Sequence, residues 1–162
     1  MNEISDEATV SSLADIEESR RGNKLVVQSG AVLDSFVKIK FAGGTGDVVI
    51  GKNTVINSGC VIYSGNGVYI GEGVAIASNC TLAPVNHEVS DRSVPFRSQG
   101  FAASRGGILI EDDVWIGAGC ILLDGSILRR GCVVGAMSLV KGELAEFSIY
   151  GGNPLKQIGQ RQ

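Results

Sequence analysis

The chain has 162 residues, a formal net charge of −3, 44% hydrophobic residues, 23 glycines and 3 prolines. That length suits a single domain, the mildly acidic balance argues against a nucleic-acid surface, and no run of 18 apolar residues is present to span a membrane. Abundant glycine with scarce proline fits tight corners rather than disorder.

Residues 1–26 read as a capping segment. Met1 to Arg20 is acidic and polar and lacks the hydrophobic region of a signal peptide. Ile4, Ala8, Leu13 and Ile16 predict one apolar side of a short helix ending near Gly22, placed as a cap over the open bottom of the domain core.

From Val27 an aliphatic residue returns every sixth position. The beat runs through Val27, Leu33 and Ile39, then Ile50, Ile56 and Ile62, then Ile70, Ile76 and Leu82. It resumes at Ile110, Ile116, Leu122, Leu128, Val134 and Val140. A period of six disfavours a helix of 3.6 residues per turn. Strands alternate sides with period two, so each beat residue and the small residue two before it both point inward. Gly or Asn directly after the beat, as at Gly51, Asn57, Gly71, Gly117 and Gly135, suits corners of positive φ. Three strand-plus-corner units make one triangular coil, and such a repeat is the signature of a solenoid. The fold class is therefore all-β: a parallel β-helix of about five coils over residues 27–145, beginning at Val27, Ile50, Ile70, Ile110 and Leu128. At about 4.8 Å per layer it is roughly 24 Å tall.

The same register sorts the outward residues. Val26, Val49, Tyr69, Leu109 and Ile127 form one outer column, and Val32, Val55, Ala75, Trp115 and Val133 a second. Both are apolar and predict cover by neighbouring copies in a closed ring. The four cysteines fall in the small inward slot, with Cys60, Cys80 and Cys120 in one column. Layer spacing is long for a disulfide, and no CxxC pair suggests zinc. They read as reduced packing residues of a cytoplasmic protein without a metal.

The beat stops once for long: Ile110 comes 28 positions after Leu82 where six are expected. The inserted loop, residues 88–109, has the only histidine, His87, at its mouth. Long loops on rigid scaffolds are common seats of chemistry, and an imidazole is the side chain suited to moving a proton near neutral pH. Glu88 and Asp91 come directly after it; either orients the ring or is a solvated loop charge. Arg92, Arg97 and Arg105 are candidates for contact with an anionic acceptor, or simply exposed. Residues 146–162 read as a C-terminal cap.

Taken together, Asn86-His87 with Asp91, the stretch IEDDVWIGAGCILLDG from Ile110 to Gly125, VVGAMSLV from Val133 to Val140 and YGGNPLKQI from Tyr150 to Ile158 resemble the hexapeptide-repeat acyltransferases. The similarity is to their sugar and polysaccharide O-acetyltransferase branch, which includes the galactoside and maltose acetyltransferases. That resemblance implies a left-handed β-helix, a homotrimer, and acetyl-CoA as co-substrate in the groove between neighbours. It implies His87 as general base toward an acceptor hydroxyl, Asn86 beside the acceptor, and the Ala118 N–H as oxyanion donor. Trp115, Gly117, Ala136 and Lys141 match positions along the CoA arm, and Lys156 a basic residue near its phosphates. The closing stretch KGELAEFSIYGGNP lacks the proline pair common in the family. Gly159 stands where a second basic residue is often found, leaving Arg161 as a substitute.

Other readings within the same architecture are N-acetylation of an amino sugar, acetylation of an antibiotic, and a non-catalytic scaffold subunit. A hexapeptide-repeat carbonic anhydrase needs three histidines, and this chain has one.

Overall fold

A computed structural model describes residues 1–162. Three sheets of seven, eight and six strands, parallel except for the last strand of the eight, wind together as the sides of a triangular prism. The first face stacks Glu3–Ile4, Leu25–Val27, Val48–Ile50, Val68–Ile70, Ile108–Ile110, Ile127–Leu128 and Glu143–Leu144. Registers put the beat residues Val27, Ile50, Ile70, Ile110 and Leu128 in one vertical column. Their counterparts on the other faces align in the same way, as Leu33, Ile56, Ile76, Ile116 and Val134 show. The inward columns form one continuous core of 28 buried residues. Burying one such Ile or Leu contributes roughly 1.5–3 kcal/mol, so the six-residue period itself specifies the prism. The result is the expected left-handed parallel β-helix.

Two expectations change. The N-terminus is not a helix: Glu3–Ile4, Thr9–Val10 and Asp15–Ile16 are strands of a further coil, paired in parallel with the one above. Ile4, Val10 and Ile16 already carry the six-residue beat. The prism thus has six full coils and two sides of a seventh, close to 30 Å in height at about 4.8 Å per layer. The lowest coil ends in charged or polar residues such as Glu3, Thr9 and Asp15, which blunts an otherwise open sheet edge.

The corner glycines also have a different cause. Positive φ occurs three residues after the beat, at Asn53, Asn79, Asp113 and Met137, not one after. Glycine directly after the beat answers to crowding between coils. A Cβ on Gly51 would sit 2.3 Å from the Gly71 carbonyl oxygen, and one on Gly117 would sit 2.5 Å from the Ala136 nitrogen.

At the top, Lys156–Gln160 turns back antiparallel on Ser148–Gly151. Arg161 Nη1 then reaches Asp113 Oδ2 at 2.9 Å and the Gly131 carbonyl at 3.0 Å, fastening the tail to the prism.

All four cysteines are free and buried. In their column, the Cys60, Cys80 and Cys120 thiols donate to the carbonyls of Ala77, Gly117 and Gly135 at 3.1–3.2 Å. Burial pushes the Cys132 thiol up to about 12. A raised thiol favours the folded state while thiols are neutral, and that contribution is lost as pH climbs from about 8.5 toward the folded value. At pH 8 a disulfide reagent such as Ellman's is expected to find almost no reactive thiol in the native protein and four in denaturant. Rapid native labelling would contradict the burial.

Candidate active site

The inserted loop leaves the third face after Thr81–Ala83 and re-enters the first at Ile108–Ile110. Its neck is a short antiparallel pairing: Glu88 N–H donates to the Gly100 carbonyl at 3.1 Å and Ala102 N–H to the Asn86 carbonyl at 2.9 Å. His87 faces Phe101 across that ladder. Beyond the neck, the Gln99 side chain braces the loop from within. Its amide donates to the Asp91 and Val94 carbonyls at 2.9 and 2.7 Å and accepts from Asp91 N–H at 3.1 Å. Pro95 leads into a single helical turn, Phe96–Gln99.

His87 points outward, as its register requires, and is exposed. One ring face stacks on Phe101, with centroids 5.1 Å apart and planes at 28°. Nδ1 lies 3.1 Å from the Gly100 carbonyl oxygen. A carbonyl only accepts, so the neutral ring carries its proton on Nδ1 and leaves the Nε2 lone pair open. Gly100 has φ 76°, a left-handed conformation that favours glycine.

Neither neighbouring carboxylate orients the ring. Glu88 accepts from the N–H groups of Ser90 and Val89 at 2.8 Å, and these bonds hold it below the ordinary carboxylate range. The Asp91 carboxylate is likewise lowered by the Ser93 hydroxyl and N–H. The Gly100 carbonyl takes the orienting part. Arg97 is exposed on the helical turn, with no carboxylate partner.

The amide of Asn86 does not point freely at solvent: Nδ2 donates to Asp124 Oδ1 at 2.6 Å. Asp124 is 3% exposed. Arg105 meets it with Nη2 on Oδ1 at 2.7 Å and with Nε and its own backbone N–H on Oδ2, each at 3.1 Å. The Arg105 guanidinium holds the Asp124 carboxyl below its usual range. Sequence reasoning missed this residue, although register carried a signal. Asp124 comes two residues after a beat, the slot filled by Ser64 and Pro84 in the coils below, and a carboxylate there needs charged partners.

A second group gathers at the corner between the second and third faces. Trp115, 51% exposed, precedes Gly117 and Ala118, and Ala136 sits one coil above at the equivalent position. The Ala118 N–H makes no hydrogen bond within the chain, while its carbonyl accepts from Met137. Lys141 lies beyond this corner, past the third-face strand Leu139–Val140, and Lys156 is exposed on the C-terminal hairpin. Arg161 is committed to the Asp113 clamp rather than available to a phosphate. No three metal-ligating side chains come together, and no helix is long and apolar enough to cross a membrane.

The two groups are far apart within one chain. Asp124, which holds Asn86, lies six residues beyond Ala118 across the third face, a span of roughly 15–20 Å at about 3.3 Å per residue. His87 and the Ala118 N–H therefore stand at opposite ends of one prism side.

The model of the bacterial transferase hexapeptide, six repeats, matches residues 107–142. Over that stretch the chain is similar to the hexapeptide-repeat transferases. The chain is 31% identical over 134 residues to the Escherichia coli protein WbbJ, assigned to O-acetyl transfer in lipopolysaccharide biosynthesis, with 80% of this chain and 65% of that one covered. A hexapeptide-repeat acetyltransferase of Vibrio cholerae, solved with acetyl-CoA, superposes with TM-score 0.71 at 25% identity, covering 82% of this chain and 68% of that chain. A variant of AntD, an N-acyltransferase from Bacillus cereus, superposes with TM-score 0.82 at 24% identity over 99% of this chain and 84% of that one, which shows the shared fold. The chain spans 27–36% of the length of the curated relatives it matches first.

Proposed function

We propose that this chain transfers an acetyl group from acetyl-CoA to a hydroxyl of a saccharide, at a site completed by a neighbouring copy in a homotrimer. The observation that carries the reading is the His87–Gly100 contact, which leaves Nε2 as an exposed acceptor. A hydroxyl attacks a thioester poorly unless its proton leaves during attack. Nε2 takes that proton as the acceptor oxygen bonds to the thioester carbonyl carbon. The resulting oxyanion is stabilised by a fixed backbone donor, assigned to Ala118, before the tetrahedral species expels the CoA thiolate. The imidazolium then returns its proton to the sulfur. All four thiols lie in the core, so transfer is direct and passes through no acyl-cysteine.

Cover by a second copy has independent support. Trp115, Ile121 and Met137 are 51%, 43% and 76% exposed around one corner, an apolar strip that a lone prism would present to water. Trp115, Gly117, Ala136 and Lys141 border the CoA arm there, with Lys156 toward its phosphates. Reduced thiols and acetyl-CoA fit a cytoplasmic setting. The likeness to the O-acetyl relative and to the acetyl-CoA complex agrees with this chemistry.

The test is a panel of free sugars, nucleotide sugars and lipid-linked saccharides with acetyl-CoA, monitored by thiol release. Turnover of a hydroxyl acceptor with formation of an ester is expected. Turnover confined to amino sugars, giving an amide, would replace this reading with N-acylation.

A further inference from the structure

We infer that Asp124 is a positioning residue for His87, acting by clasping together the two ends of the inserted loop. The inference rests on the acyl-transfer reading for its consequence in turnover, but not for its geometry. Asp124 is buried in the prism wall at the exit corner of the strand Ile121–Leu123, one coil above the point where the loop departs. Its two carboxylate oxygens bind both sides of the gap: Asn86, one residue before His87 where the loop leaves, and Arg105, where it returns. Four donors converge on one carboxylate, three of them from Arg105.

The mechanical consequence comes from the ladder at the neck. Asn86 and Ala102 are bonded through the backbone, as are Glu88 and Gly100. Fixing Asn86 and Arg105 to one rigid acceptor sets the register of that ladder, and the register sets the Gly100 carbonyl against Nδ1. No disulfide, metal or packed helix holds the loop in this way, and its residues from Phe96 to Gln99 have no buried side chain. Without the clasp the neck keeps its two-strand pairing and the His87–Phe101 stack, and a pairing of that size is marginal in water. The ring would then lose its fixed partner and its fixed tautomer while the prism stayed folded.

His87 is the only histidine, so imidazole 15N signals report on it without ambiguity and without substrate. In the native protein at a pH where the ring is neutral, the Nδ1–H form is expected to dominate. Asp124→Leu is expected to shift the ring toward the Nε2–H form of a free imidazole while the thermal transition of the prism persists. In the same variant kcat is expected to fall up to about 100-fold, the scale of a misplaced catalytic group, with KM for acetyl-CoA little changed. Retention of the Nδ1–H signature in Asp124→Leu would overturn the inference. Where that variant does not fold, Asn86→Leu cuts the departing half of the clasp whole, since its side-chain amide is the one donor there, whereas Arg105→Met would leave the backbone N–H of residue 105 on Oδ2. An unchanged tautomer in Asn86→Leu is equally fatal. A shifted tautomer in a protein that acetylates nothing would leave the clasp standing and sink the acyl-transfer reading instead.

Discussion

His87→Ala is expected to lower kcat/KM for acetylation of a hydroxyl acceptor by about 10²- to 10⁴-fold, or roughly 3–5 kcal/mol of transition-state stabilisation. The fold is expected to survive. The ring is exposed, and its contacts are Phe101 and one carbonyl. No core residue leans on it. Acetyl-CoA affinity is expected to stay near the native value, because His87 acts on the acceptor hydroxyl and the CoA arm is assigned to other residues, Trp115, Gly117, Ala136, Lys141 and Lys156. His87→Gln is the sharper companion. Its amide can donate to Gly100 and fill the volume, yet it has no basic nitrogen, so it should be nearly as inactive as the alanine variant. Steady-state kinetics with acetyl-CoA and the best hydroxyl acceptor checks both. Retention of most activity in His87→Ala would point to an amine acceptor, which needs less help from a base, and would remove His87 from the chemistry.

The prism was legible because its cause is periodic. Every sixth residue is an aliphatic side chain that ends fully buried, and neither local propensity nor long-range pairing competes with that pattern. The first coil escaped notice because Ile4, Val10 and Ile16 also suit a loose helical reading, and three beats are too few to separate the periods. The corners were half legible. Glycine after the beat signalled a special position, but one sequence cannot distinguish positive φ from the backbone crowding that Gly51 and Gly117 meet. In the candidate site, the outward aim of His87 is set by register. Its partner is not, because a carbonyl such as that of Gly100 has no residue-type signature, whereas Glu88 and Asp91 draw attention by charge and prove to be occupied by their own turns. Asp124 shows the reverse case: a charge in a buried column that register alone could have flagged.

The second large effect is recovery of activity on mixing two inactive variants. Ala118 precedes Gly119, whose φ is 69°, which matches the second and third residues of a type II turn, where proline is welcome at the second. Ala118→Pro is therefore expected to remove the free N–H while a circular-dichroism spectrum and thermal transition like the native ones check that the corner is kept, and the Ala118 carbonyl can still accept from Met137. Loss of one oxyanion donor is expected to cost about 10²- to 10³-fold in kcat. His87→Ala and Ala118→Pro are then each nearly inactive, for different reasons. One chain places the two groups roughly 15–20 Å apart by its strand rise, so no single prism can apply both to one carbonyl. If neighbours share the site, subunits dissociated in mild denaturant, mixed in equal amounts and reassembled should regain activity. Random pairing around a closed ring gives about one site in four an intact His87 from one copy and an intact Ala118 N–H from the next. Activity near that fraction of native is the expected reading, with each variant reassembled alone as control. A mixture no more active than its parents, with a reassembled trimer confirmed by light scattering, would mean that the base and the oxyanion donor do not meet across the interface.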